Sequence, residues 1–164
     1  MSPGVFLRRA DRDDLAALVA LDAAASVHPW NAAQVAAELE RAPPDSVLAL
    51  DGSRGLRAWC ALRLAVGELT ILNLAVAPGN RRRGFGRFLL DAALRAGERG
   101  GARRALLEVR ASNVAARTLY AHFGFAPLGV RKDYYRQPTE DALVLGRELG
   151  GPHGSSLNWP SRAC

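Results

Sequence analysis

The stretch Leu74-Ala75-Val76-Ala77-Pro78-Gly79-Asn80-Arg81-Arg82-Arg83-Gly84-Phe85-Gly86-Arg87 decides the reading of this chain. An apolar run stops at Pro78 and passes through a loop dense in arginine and glycine. It then opens a segment in which Phe85, Phe88, Leu89, Ala92, Ala93 and Ala96 recur at helical spacing to about Arg99. The order is strand, loop, helix. A helix start offers backbone N–H groups without intrahelical acceptors and about half a positive charge, which suits a phosphate. Gly84 and Gly86 remove side chains that would keep the anion off that backbone. Arg81, Arg82, Arg83 and Arg87 supply charge-assisted donors around it. The local chemistry predicts a bound polyphosphate, and the plainer alternative is a glycine turn beside a surface arginine cluster.

Two common phosphate loops do not fit. A Walker loop ends in Gly-Lys-Ser/Thr, whereas Gly86 is followed by Arg87-Phe88. The dinucleotide fingerprint G-x-G-x-x-G requires a third glycine where Leu89 stands.

The surrounding composition sets the frame. The chain has 164 residues, 49% hydrophobic and 23% charged, as expected for one globular domain. No apolar run reaches the roughly 18 residues of a membrane span. The N-terminus lacks the pattern of a signal peptide, so a cytoplasmic location is expected. Cys60 and Cys164 are far apart and His28, His122 and His153 are scattered, so neither a disulfide framework nor a metal site is expected. Lys and Arg total 22 against 16 acids, and all but Lys132 are arginine. This excess fits nucleic acid, an acidic ligand or a solvated GC-biased surface equally well, and position has to decide.

Upstream, a strand near Val5 to Arg8 precedes a helix capped by Asp11, with Leu15, Leu18, Val19 and Leu21 on its face. Asn31 caps a second helix that runs to about Arg41 and ends at Pro43-Pro44. Strands follow over Val47 to Leu50, Arg57 to Val66 and Glu68 to Val76, with turns expected at Asp51-Gly52 and Gly67. Downstream, Gly100-Gly101 closes the arginine-rich helix. Ala105 to Val109 reads as a strand parallel to the one before that helix. Ser112 or Asn113 caps a short helix with Ala115, Leu119 and Phe123 on one face, and two last strands lie near Ala126 to Tyr135 and Ala142 to Leu149. The Gly-, Ser- and Pro-rich residues 150–164 are expected to be a disordered tail behind a single domain of residues 1–149.

The loop resembles the Arg/Gln-x-x-Gly-x-Gly/Ala signature of the GNAT superfamily of N-acetyltransferases, with Arg81, Gly84 and Gly86 at its defining positions. The segment Leu107-Glu108-Val109-Arg110-Ala111-Ser112-Asn113 and the later Leu119-Tyr120 and Phe123-Gly124-Phe125 are similar to the second half of that domain. Together with His28-Pro29-Trp30, Asn73-Leu74-Ala75-Val76 and Asp133-Tyr134-Tyr135 they resemble the RimI branch, the ribosomal-protein-alanine N-acetyltransferases. Arg81 stands where members of that branch often carry Gln, which the wider signature permits.

The resemblance implies an α+β fold: a mixed, mostly antiparallel sheet of six to seven strands, about four flanking helices, and a splayed parallel strand pair forming the coenzyme cleft. It implies acetyl-CoA as cosubstrate, no metal, and a protein N-terminus as acceptor, with an alanine of a small-subunit ribosomal protein as the typical case. It makes Leu74, Ala75 and Val76 the edge for the pantetheine, Arg82, Arg83, Gly84, Phe85, Gly86 and Arg87 the pyrophosphate cradle, and Asn113 a coenzyme contact. Glu108 becomes the general base and Tyr120 the general acid, while Trp30, Tyr134 and Tyr135 are acceptor-site candidates. By residue type alone, Glu108 could equally be an ion-pair partner of Arg110 or Arg103, Tyr120 a core residue and Asn113 only a cap.

The roles are chemically consistent. Acyl transfer from a thioester to an amine needs a base for the amine and a proton for the departing thiolate, which a carboxylate and a phenol supply. An α-amino group with pKa near 8 is roughly one-tenth neutral at pH 7, whereas a lysine near 10.4 is neutral in fewer than about one molecule in a thousand, which favours an N-terminal acceptor. No membrane partner is expected and nucleic acid is not required; two alternatives remain, acetylation of a small-molecule amine or a lysine on the same fold, and a nonenzymatic RNA-binding module.

Overall fold

The computed structural model describes residues 4–43 and 46–150. Cys164, His153, Pro44 and residues 151–164 of the expected tail lie outside them. Strand β1 (Phe6–Arg9) leads into a 3-10 turn, Arg12–Asp14, and then α1 (Leu15–Ala25). Asp11 caps the turn in a reciprocal box with Asp14. Asn31 does the same with Gln34 at the start of α2 (Ala32–Leu39), which ends slightly earlier than expected.

Strands β2 (Ser46–Gly52), β3 (Gly55–Ala65) and β4 (Glu68–Val76) form an antiparallel meander. The first turn is not at Asp51-Gly52, because both residues still pair with β3 and the chain reverses over Ser53-Arg54. Gly55, at φ +95°, supplies the left-handed residue that leaves that turn. The second turn is Val66-Gly67, both at positive φ, as a two-residue hairpin requires.

Helix α3 (Phe85–Arg99) crosses to β5 (Arg104–Arg110), and α4 (Val114–His122) follows. Leu89, Leu90, Ala93, Leu94 and Gly97 form the buried stripe of α3. Asn113, not Ser112, caps α4 by accepting from Ala116 N–H at 3.1 Å. The inward face of α4 is Ala116, Leu119, Tyr120 and Phe123 rather than one containing Ala115, which is exposed. Strands β6 (Ala126–Tyr135) and β7 (Glu140–Glu148) complete the order β1-β2-β3-β4-β5-β7-β6.

All neighbours are antiparallel except β4 and β5. That parallel pairing runs only from Glu68↔Arg104 to Ile71↔Leu107, although both strands continue beyond it. The pair is therefore splayed at its C-terminal end.

The sheet separates two cores. Alternation on β3 sends Ala58, Cys60 and Leu62 toward α3 and α4, and Trp59 and Ala61 toward α1 and α2. Trp59 is fully buried in the second cluster, with Leu18, Leu21, Val35, Val47 and Ala49. No helix among the described residues is long and apolar enough to cross a membrane.

Candidate functional site

The splay sets the site. Beyond Ile71 the edge of β4 that faces β5 has no strand partner among the described residues, while its other edge stays paired with β3 through Ala61↔Asn73, Cys60↔Leu74, Trp59↔Ala75 and Ala58↔Val76. A β-bulge at the same point shifts the register between Ala61 and Leu62, so Leu72 has no partner of its own. The predicted residues Leu74, Ala75 and Val76 thus lie along an unpaired backbone edge lining the gap.

That edge leads straight into the arginine loop. Ala77 N–H donates to Arg57 C=O at 2.9 Å, and Arg57 Nη1 donates to Asn80 Oδ1 at 2.8 Å, which pins the loop entry to β3. Gly84 is the N-cap of α3 at φ +82°, and it brings no capping side chain. The N–H groups of Phe85, Gly86 and Arg87 fall in the first turn, where helix geometry provides no acceptor. A Cβ on Gly86 would meet Val76 and Leu119, each at 3.6 Å, so the strand edge, the loop and α4 converge there. Arg82, Arg83 and Arg87 are exposed around this turn, with the Arg83 guanidinium 5.5 Å from the Phe85 ring. Arg81 is directed elsewhere: its Nη2 donates to Ala25 C=O at 2.8 Å, at the negative end of α1. A glycine-capped helix start with three exposed arginines beside an unpaired strand edge fits a polyphosphate joined to an amide-bearing arm.

The second group gathers just past Leu107. Glu108 pairs with Arg131, Nε to Oε1 at 2.9 Å, and not with Arg103 or Arg110. The reason lies in the sheet order. Strand β7 sits between β5 and β6 and presents only Val144 and Ala142 in the rows Glu108↔Val144↔Gly129 and Arg110↔Ala142↔Arg131, so long side chains from both flanking strands meet over it. Arg110 instead pairs with Glu140 at 3.3 Å and lies 4.0 Å above the Tyr135 ring.

Interaction with the neighbouring Glu108 carboxylate raises the pKa of the Tyr134 phenol. Burial raises that of Tyr135, and the Glu108 carboxylate adds to the rise. Tyr120 is buried against Phe125 and within electrostatic reach of Tyr135 and Cys60; burial holds its phenol well above the ordinary value. The Cys60 thiol is likewise pushed up by burial and is a poor nucleophile. The fold thus gathers Glu108, Tyr120, Tyr134 and Tyr135 near the splayed end.

Trp30 packs against the cluster beneath α1 and α2. It packs edge-on against Trp59 at 5.7 Å, and its backbone N–H donates to Asp22 Oδ2 at 2.7 Å. Asp22 was not singled out by its sequence, yet it is 1% exposed and also accepts from Asn73 Nδ2 at 3.1 Å, so one carboxylate joins α1, the Trp30 loop and the bulged strand. Its signal was a charge one turn after Leu18 on an apolar helical stripe. Asn113 uses its Oδ1 to cap α4. Among the described residues no cluster of three or more His, Cys, Asp or Glu is placed to hold a metal.

Residues 15–125 match the Acetyltransferase (GNAT) family. The chain is 33% identical over 136 residues, 80% of its length and 89% of the relative's, to the ribosomal protein bS18-alanine N-acetyltransferase of Escherichia coli (strain K12). The crystal structure of the ribosomal-protein-S18-alanine N-acetyltransferase from Escherichia coli superposes with a TM-score of 0.83 at 28% identity, covering 94% of this chain and 97% of that one. The NatC complex bound to Gag peptide and CoA shares the fold at a TM-score of 0.80 and 19% identity, covering 90% of this chain and 99% of that one.

Proposed function

This chain belongs to the acetyltransferase (GNAT) family, and from that premise we propose that it acetylates the N-terminal α-amino group of a protein, with a ribosomal-protein N-terminal alanine as acceptor. The observation that carries the acceptor is the 33% identity, over most of both chains, to a relative named for that reaction. The site is compatible with it: a carboxylate and a buried phenol stand near the open end of the gap between β4 and β5.

Acetyl-CoA supplies an activated thioester. The free edge at Leu74, Ala75 and Val76 would pair with its amide-bearing arm, and the start of α3 with Arg82, Arg83 and Arg87 would hold the pyrophosphate. A backbone N–H near Val76 would stabilise the oxyanion. Glu108, directly or through water, takes the proton the amine loses as its nitrogen bonds the acyl carbon. Tyr120 donates its proton to the sulfur as the C–S bond breaks, and regains one from solvent as Glu108 releases the proton it took. Burial keeps that hydroxyl protonated throughout the physiological range, so it is always available as a donor. Products are the acetylated N-terminus and the free thiol.

The test measures thiol release with peptides bearing a free or a blocked N-terminus. Activity is expected only with the free one, and equal rates on a blocked lysine-containing peptide would overturn the acceptor assignment. Glu108→Gln and Tyr120→Phe should each lower kcat by about 10²-fold or more. Unchanged rates in both would remove the assigned roles.

A further inference from the structure

An acceptor amine that reaches Glu108 meets a carboxylate already in a pair. Arg131 Nε stands 2.9 Å from it, and the Arg131 guanidinium lies 5.6 Å from the ring of Tyr134, whose phenol the Glu108 carboxylate influences. The other groups around it are Arg110 on β5, neutralised by Glu140 of β7, and the phenols Tyr135 on β6 and Tyr120 on α4. Two ion pairs thus stand here, Glu108 with Arg131 and Glu140 with Arg110.

This balance matters because an α-amino group with pKa near 8 arrives at pH 7 about nine-tenths as ammonium, which has no lone pair to attack with. A lone carboxylate within about 4–6 Å favours the charged form of such a group by roughly 1–3 pK units, and a nearby cation opposes it. Glu108 without a counter-ion would trap the acceptor as ammonium. We propose that Arg131 is a positioning residue that prevents this trap, its guanidinium cancelling the Glu108 charge so that the amine sits at the base in its neutral form. The pair contributes little to stability: Arg131 is 57% exposed, and exposed ion pairs contribute about 0–1 kcal/mol. The inference rests on Glu108 being the group that receives the amine.

The experiment compares wild type, Arg131→Met, Arg131→Lys and Glu108→Gln on a peptide with a free N-terminus, at saturating acetyl-CoA, across about pH 5.5 to 9.5. For Arg131→Met the ascending limb of kcat should move up by about one pH unit. The rate at pH 7 should then fall about tenfold and recover near pH 9.5, with an acceptor KM no higher than that of wild type. Arg131→Lys keeps the charge and should restore the limb. A limb unmoved in Arg131→Met, or a loss equal at every pH, overturns the role of Arg131. Glu108→Gln turning over as fast as wild type would instead overturn the base on which it rests. A slow Glu108→Gln with an unmoved Arg131→Met limb overturns Arg131 alone.

Discussion

The two halves of the sheet are packed by different rules. Strands β2, β3 and β4 are covered on both faces, and both buried clusters draw on them. On β5 and β7 the residues Ala105, Leu107, Val109 and Leu145 face α3 and α4, but neither strand contributes to the second cluster, and β6 contributes to neither. Leu128 and Val130 of β6 are exposed. The covered half is specified by volume and the open half by charge and hydrogen bonding. The proposed chemistry stands where the halves part, past Ile71↔Leu107. A rigid edge for one substrate and an accessible carboxylate for the other can coexist there because each comes from a different half.

Substitutions can break this contrast. The largest stability loss is expected from Trp59→Ala in the covered half: about 3–5 kcal/mol for removing a fully buried aromatic, read as a lower urea midpoint. A loss under 1 kcal/mol would mean that this half is not the stable one. Asp22→Asn leaves the Trp30 N–H facing an amide that cannot replace both carboxylate oxygens. It should cost about 1–3 kcal/mol and raise the KM of both substrates, because the Trp30 loop and the bulged strand share that anchor. Unchanged stability with both KM values at wild type would sink the anchoring role.

Gly84→Ala places a side chain at φ +82° and should cost about 1–2 kcal/mol, with KM rising for acetyl-CoA and holding for the peptide. The reverse pattern of KM values would detach this turn from the coenzyme. At the sheet edge, Arg8 holds the Asp14 carboxyl below its ordinary pKa. The unfolded chain therefore takes up that proton first on acidification. The pair's contribution is fully present above about pH 4 and is lost as the pH falls through the lower folded value. Solvent screening keeps this under about 1 kcal/mol, so the midpoints of wild type and Asp14→Asn should differ slightly at pH 6 and converge near pH 2. Leu128→Ser, on the open half, should change stability by no more than about 0.5 kcal/mol. A larger effect there would show that β6 is packed after all.

The elements with local causes were legible in the sequence. The caps at Asp11, Asn31 and Asn113 satisfy N–H groups two or three residues away. The Val66-Gly67 turn and the helical period of α3 are equally short-range, and the glycine-arginine loop falls where its spacing placed it. The turn after β2 falls two residues beyond Asp51-Gly52, which has hairpin chemistry, because pairing with Leu56 and Gly55 holds both residues in the ladder. The inward face of α4 was misjudged because Ala115 and Ala116 are chemically alike, and only packing against the sheet chooses between them.

The sequence by itself determined the element types and the phosphate-suited loop, and its resemblance to the RimI branch singled out Glu108 and Tyr120 as candidates for moving protons. The partners of these groups were decided by tertiary structure. Arg131 meets Glu108 only because β7 enters between β5 and β6 with small residues at the crossing, Arg81 turns to the end of α1, and Asp22 finds Asn73 across two elements. Caps and turns are set by forces acting over a few residues, while charge partners depend on strand order, which no local pattern encodes.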